Sequence, residues 1–354
     1  MRPCPTIRFV RGHFSEYQRL ADDVMDVLYD QTPAVERISI DEAFLDISGS
    51  THLFGPPAVI GSRIRRRVRD ELGLPISVGA AVTKHLAKVA SQVAKPDGLL
   101  VVEPGSERRF LEPLPVDLIW GVGPVVRQRL AEQGIRTIGD LARTPSAFVE
   151  HLVGGAVGAR LNALALNEDP RRVMSSGRAR SIGAQSALGR RRPTRALVRE
   201  VMAYLADRVA GRLRAKRRAG RTVTVRVRFA GMRSVTRSLT LPAPVAATLT
   251  LTEIAEQLAW QAIDDQRDES VEISLLAVAV SNLVTLYAVQ ITLPFRPDDP
   301  RIPGSLTGSA RWAVDLSIDQ IRLRFGRDSV GYLPAALSRS HSVPDGFREL
   351  AERD

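Results

Sequence analysis

Two carboxylates stand side by side in RISIDEAFLDIS, residues 37–48: Asp41 and Glu42. Around them, Ile38, Ile40, Phe44, Leu45 and Ile47 read as buried β-structure. Burying a carboxylate without a partner is costly, so something must receive the pair. In a straight strand, neighbouring side chains point to opposite faces and the two acids would separate. A hairpin bend instead brings both to one end of a sheet, and the flanking apolar runs VERISI and AFLDIS are nearly symmetrical about it. A solvated turn between two strands fits the same stretch, so the pair alone does not decide its chemistry.

A second chemical feature lies in LIWGVGPVVRQRLAEQGIRTIGDLA, residues 118–142. Apolar residues precede Gly121-Val122-Gly123, and a helix is predicted from Pro124. Glycines flanking one residue let backbone N–H groups turn outward beside the positive end of a helix, which makes an anion cradle. Arg127 and Arg129 lie just behind it, and GIRTIGDLA reads as another turn and helix. The whole has the form of a helix-hairpin-helix, which grips DNA backbone without reading sequence; a plain helical turn is the alternative.

The elements that must position these groups follow from periodicity. Helical spacing marks 15–29, 57–72 and 85–94, and strands are predicted at 75–83 and 99–102. Residues 105–170 read as almost wholly helical, and 171–181 as a basic, aperiodic linker. Next come a strand at 181–188, a long helix from Thr194 to about Ala219, strands at 222–229 and 235–241, a helix at 246–263 and a strand at 270–280. That β-α-β-β-α-β order fits a small sheet with two helices on one face. In TVTVRVRF, Val223, Val225, Val227 and Phe229 alternate with Thr224, Arg226 and Arg228. The free sheet face is therefore expected to carry Arg226 and Arg228, joined by Arg233 and Arg237, and to suit a phosphate backbone. Residues 294–309 read as disordered, and the helical pattern of 311–326 as lying outside the folded domains.

Composition narrows the function classes. The net charge is +11, yet residues 171–240 hold 20 Arg and Lys against Glu200 and Asp207. That segment carries +18 and leaves −7 for the rest, which points to a polyanionic partner at one part of the molecule. The single cysteine, Cys4, excludes an internal disulfide framework and a cysteine-based zinc site. The five histidines show no metal-ligand spacing. No stretch reads as a membrane span or a signal peptide, so the cytoplasm is the default location and no membrane partner is expected.

SIDEAFLD, GAAVTKHLAKVASQVAKPDG, LIWGVGP and GIRTIGDLA, in this order, resemble the Y-family DNA polymerases of the bacterial DNA polymerase IV type. The resemblance implies an α+β multidomain fold. It comprises a partial polymerase palm (1–104), a helical thumb with the helix-hairpin-helix (105–170), a linker (171–180), a β-α-β-β-α-β little finger (181–282) and a tail (283–354). It implies error-prone translesion synthesis on primer-template DNA from deoxynucleoside triphosphates, by a monomer. Asp41 and Glu42 match the paired acids that hold two Mg²⁺ ions for in-line nucleotidyl transfer. Lys95 matches the lysine that neutralises the incoming triphosphate, and Ser39 and Lys84 fall on supporting positions. Asp46, further along the strand, is read as structural. Gly121, Gly123, Arg127, Arg226, Arg228, Arg233 and Arg237 are the expected DNA contacts. Gln290, Leu293 and Phe295 of QITLPF fit the peptide by which bacterial polymerases engage the sliding clamp; QIRLRF (320–325) fits the pattern too, in a helical, arginine-rich context.

The sequence departs from the family in one respect. The family opens on a strand with a metal-binding aspartate in a pattern like DMDxFFAxVE, followed by fingers, and nothing upstream of Asp41 fits it. Asp22, Asp23, Asp26 and Asp30 belong to an amphipathic helix and its end. The chain thus reads as starting inside the palm, through a late start assignment or a truncation. The expectation is little or no polymerase activity from these 354 residues alone, with DNA binding retained. The alternative function is a non-catalytic DNA- and clamp-binding relative on the same scaffold.

Overall fold

The computed structural model describes residues 7–8, 10, 12–175, 179–266, 271–286 and 298–332. The chain divides into two compact units, one holding the residues up to Gly177 and one starting at Arg178.

In the first unit the predicted hairpin forms from β1 (Val35–Arg37) and β2 (Ala43–Leu45), paired Val35 to Leu45, Glu36 to Phe44 and Arg37 to Ala43. Strands this short are marginal by themselves. They are held by packing: Val35, Ala43 and Leu45 lie in one apolar cluster with Met25 and Leu28 of α1 (Phe14–Tyr29) and Ile60, Ile64 and Val68 of α3 (Pro57–Leu72). Each fully buried aliphatic side chain there contributes roughly 1.5–3 kcal/mol, and several of them together exceed what a few ladder bonds supply. Alternation sends Glu36 and Phe44 to the opposite face. A short helix, α2 (Thr51–Phe54), links hairpin and α3.

Strands β3 (Val78–Ala80) and β4 (Leu99–Val101) run parallel and are joined through α4 (Lys84–Val93). Thr83 caps α4, its Oγ1 accepting from Leu86 N. The region predicted to be helical holds α5 (Glu107–Leu111), α6 (Pro124–Glu132), α7 (Ile138–Arg143), α8 (Ser146–Val153) and α9 (Gly155–Ala165). Leu86 and Val89 of α4 share one core with Val122, Leu130, Ile138, Leu141 and Leu161.

The second unit has the predicted order: β5 (Ser181–Arg191), α10 (Arg195–Ala215), β6 (Arg218–Phe229), β7 (Ser234–Val245), α11 (Thr248–Asp264) and β8 (Ile273–Thr285). The strands are antiparallel in the spatial order β5-β8-β6-β7. Val223, Val225, Val227 and Phe229 are buried in a core shared with α10 and α11. Helix α10 ends earlier than the expected Ala219, because Arg217 takes a positive φ of 51° and Arg218 already pairs with β8.

Two expectations about the C-terminal part are corrected. Residues 311–326 do not lie outside the folded unit: α12 (Leu306–Phe325) docks on it. Arg214 of α10 meets Asp315 at 3.1 Å and Asp319 at 2.6 Å, Arg322 meets Asp207 at 2.9 Å, and Trp312 packs against the core. Asp315 is fully buried and also accepts from Thr248 N and the Tyr332 hydroxyl. Ion pairs dominate the docked face, with Trp312 adding an apolar contact, so the helical pattern alone does not reveal the docking. Of residues 294–309, 294–297 lie outside the described residues and 298–309 are ordered, with Asp298 accepting from Thr307 N at 3.0 Å and Asp299 from Arg301 N at 2.8 Å. Among the described residues, no helix is long and apolar enough to cross a membrane.

Candidate functional site

The hairpin tip is closed by Glu42 O, which accepts from Ile38 N at 2.9 Å and Ser39 N at 3.1 Å. Pairing thus continues past the strands and places Glu42 on the face of Glu36 and Phe44. Asp41 is exposed at the apex, where the Ser39 hydroxyl donates to its Oδ1 and Asp41 N donates to Ser39 Oγ at 3.3 Å. Arg37 braces the tip from the other face, its Nε donating to Ser39 O and its Nη1 to Asp22 at 2.7 Å. Two further acids of α1 and its end are engaged as well, Asp23 with Arg19 and Asp30 with Arg67. Asp46 turns back onto Ser48, whose hydroxyl and N–H hold its carboxyl below the usual range.

The acidic face meets α4. Lys84 bonds Glu36 at 2.6 Å, and Lys88, one turn on, pairs with Glu42. The Lys84 ammonium lies 4.9 Å from the Phe44 ring centre, and Glu36 also accepts from Met174 N. The ammonium that reaches Glu42 therefore belongs to Lys88, which sequence reasoning passed over; Lys95 is exposed just past the helix end. Lys84 and Lys88 recur at the i, i+4 spacing of one helix face, and that was the available signal. Asp41 and Glu42 are hard oxygen donors of the kind that hold Mg²⁺ through one or two carboxylates together with substrate phosphates. Among the described residues no group of three or more His, Cys, Asp or Glu is placed to hold a metal.

His85 is wholly buried at the base of α4, and neither ring nitrogen has a partner. Burial pushes its pKa down to about 4, against the upward pull of Asp169 and with Arg171 and Arg160 adding to the fall. Its backbone N–H donates to Asp169 at 3.0 Å, and Asp169 also binds Arg171 at 2.6 Å.

The glycine turn before α6 has the expected local geometry. Gly121 has φ +113°, and Gly123 is the N-cap of α6. Arg127 is exposed and pairs with Asp117 at 3.2 Å. Thr137 and Asp140 form a capping box at α7, and the N–H and hydroxyl of Thr137 hold the Asp140 carboxyl down to about 2.

In the second unit, Arg226 is on the open sheet face, bonded to Gln185 at 2.8 Å, and Arg228 bonds Ser274 at 3.0 Å. Arg233 and Arg237 are not on that face. Arg237 pairs in register with Val225, whose side chain is buried under the helices, and its guanidinium reaches Asp265 at the end of α11. Arg233 belongs to the connecting turn and bonds Gln266. The alternation of β7 puts residues 234, 236, 238 and 240 outward instead. Gln290, Leu293 and Phe295 lie outside the described residues.

Comparison with known proteins places the chain in a family. Residues 1–92 match the model of the impB/mucB/samB family, and 179–293 that of its C-terminal domain. DNA polymerase IV 2 of Mesorhizobium japonicum is 56% identical over 352 residues, covering 99% of this chain and 85% of that protein. DNA polymerase IV of Desulfatibacillum aliphaticivorans is 36% identical, covering 94% of this chain and 81% of that protein. Among solved structures, a Y-family DNA polymerase chimera of Dbh and Dpo4 superposes with a TM-score of 0.68 at 23% identity, over 79% of this chain and 80% of that one. An insertion ternary complex of Dbh DNA polymerase gives 0.54 at the same identity, over 79% and 80%.

The buried imidazole sets a pH dependence. An unfolded chain takes up a proton near pH 6.5, whereas the folded one refuses it until about 4. Stability is full above pH 6.5 and falls as pH drops towards 4, by about 3 kcal/mol in total. Urea unfolding between pH 4 and 7 should show this slope, and His85→Leu should flatten it.

Proposed function

The chain belongs to the Y-family DNA polymerases, in the DNA polymerase IV group, and from that premise we propose that Asp41 and Glu42 hold divalent metal for template-directed, error-prone synthesis past lesions. The observation that carries this reading is the hairpin tip, where two acids are presented beside a lysine-bearing helix. Bound Mg²⁺ supplies charge neutralisation for the triphosphate and favours ionisation of the primer hydroxyl. The chain's own residues do the rest. Ser39 fixes Asp41, and Lys88 offsets the charge of Glu42. Lys95, exposed beyond α4, takes the triphosphate, with Lys84 steadying the acidic face through Glu36. The N–H groups around Gly121 and Gly123 hold a phosphodiester, with Arg127 beside them. Arg226 and Arg228 bind the backbone of primer-template DNA from the open sheet face.

On this reading residues 1–104 serve as palm, 105–170 as thumb and 181–282 as little finger. QITLPF (290–295) engages the sliding clamp. The non-catalytic accessory reading is not favoured, since relatives named DNA polymerase IV align with 99% and 94% of the chain. The alignments with those relatives weigh against the weak activity expected from the missing DMDxFF-like strand, and primer extension tests it.

Purified chain with Mg²⁺ and all four nucleotides should extend a primer, and Asp41→Asn or Glu42→Gln should lower kcat by about a hundredfold or more, with DNA affinity retained. DNA binding without incorporation would contradict the catalytic reading of this chain. Arg226→Ala should weaken DNA binding and reduce its salt slope by about one, whereas Arg237→Ala, on the helix side, should leave the slope unchanged. Gln290→Ala with Leu293→Ala should abolish retention on an immobilised clamp; unchanged retention would remove that assignment.

A further inference from the structure

Trp120 immediately precedes the Gly121-Val122-Gly123 turn. Its indole lies 6.1 Å from the Phe44 ring, 5.3 Å from Lys88 Nζ and 4.7 Å from the Arg171 guanidinium carbon. Lys88 is 14% exposed and closes the ion pair with Glu42. Phe44 shares the hairpin face of Glu36 and Glu42, and Val122, on the other side of Gly121, is buried with Leu86 and Val89 of α4. The turn is therefore tied to the hairpin through α4 by two routes. One is apolar, from Val122 to the buried face of the helix. The other runs from indole to ammonium to carboxylate. An ammonium shared by a carboxylate and an indole cannot move towards one without losing attraction to the other.

We propose that Trp120 and Lys88 are positioning residues that couple the phosphate-binding turn to the Glu42 carboxylate. Lys88 orients the carboxylate, and the Trp120 indole fixes the ammonium. A backbone phosphate seated at the turn thus biases the acid that holds metal, and the bias is reciprocal. The inference rests on the reading of Glu42 as a metal-holding group and of the turn as a backbone clip.

A double-mutant cycle in the full chain tests the coupling, reading kcat for single-nucleotide insertion and Kd for primer-template DNA. Trp120→Leu and Lys88→Met should each lower kcat about tenfold, the scale of one or two cation–π contacts. Kd should change less than about threefold, and the double variant should be no slower than Lys88→Met alone. Trp120→Phe and Lys88→Arg should recover most of kcat. Additive losses, or a Trp120→Leu variant that loses DNA affinity with kcat intact, would overturn the proposal. A second readout needs no turnover: the indole N–H resonance of Trp120, identified by its loss in Trp120→Phe, should shift in Glu42→Gln. No shift would overturn the coupling. Absence of incorporation by the wild-type chain would instead defeat the polymerase reading, and the resonance would still decide the coupling.

Discussion

The register of one short hairpin governs the first unit. With Val35 opposite Leu45, the apolar face is sealed against α1 and α3, and the acidic face is turned to α4. A slip by one residue would drive Glu36 into that core and expose Val35. The apolar packing thus fixes where the carboxylates go, and the two lysines of α4 make their position affordable. Lys84 and Lys88 answer Glu36 and Glu42 one for one, one helical turn apart. Among the described residues no cation meets Asp41 at the apex, where Ser39 steadies it, so the tip pair Asp41-Glu42 offers one open and one compensated carboxylate.

The basic charge of the second unit is not all available to a partner. Part of it is structural: Arg214, Arg311 and Arg322 bind Asp315, Asp319, Glu253 and Asp207 and so dock α12. Removing one partner of such a buried pair leaves an uncompensated charge, which makes α12 part of the unit's architecture. Arg237 is likewise occupied, at Asp265. The arginines free to meet a polyanion are therefore fewer than composition suggests, and Arg226 is among those that face outward.

Much of the fold was legible because its elements have clean periods. The alternation of TVTVRVRF, the helical spacing at 57–72 and the glycine pair before Pro124 all correspond to observed elements. The paired acids were legible as a bend because apolar runs flank them on both sides. What stayed hidden depended on register or on charge. Arg237 looked equivalent to Arg226, since the turn between their strands decides which side each faces, and that turn has no fixed period. Lys88 drew no attention in the sequence, because only the hairpin placed beside it gives its ammonium a partner. Trp120 looked like part of an apolar run. Helix α12 docks mainly through ion pairs, so its helical pattern did not reveal that it packs on the unit. The roles of Asp41, Glu42 and Lys95 came from family resemblance and not from spacing.

The central claim is that the hairpin tip is where divalent metal is held. Fe²⁺ substituted for Mg²⁺, with ascorbate and peroxide, cleaves the chain where the metal sits. The account predicts cuts close to residues 39–44, suppressed by excess Mg²⁺ and lost in the Asp41→Asn, Glu42→Gln double variant. Cleavage confined to other parts of the chain, or unchanged by that double variant, would contradict it.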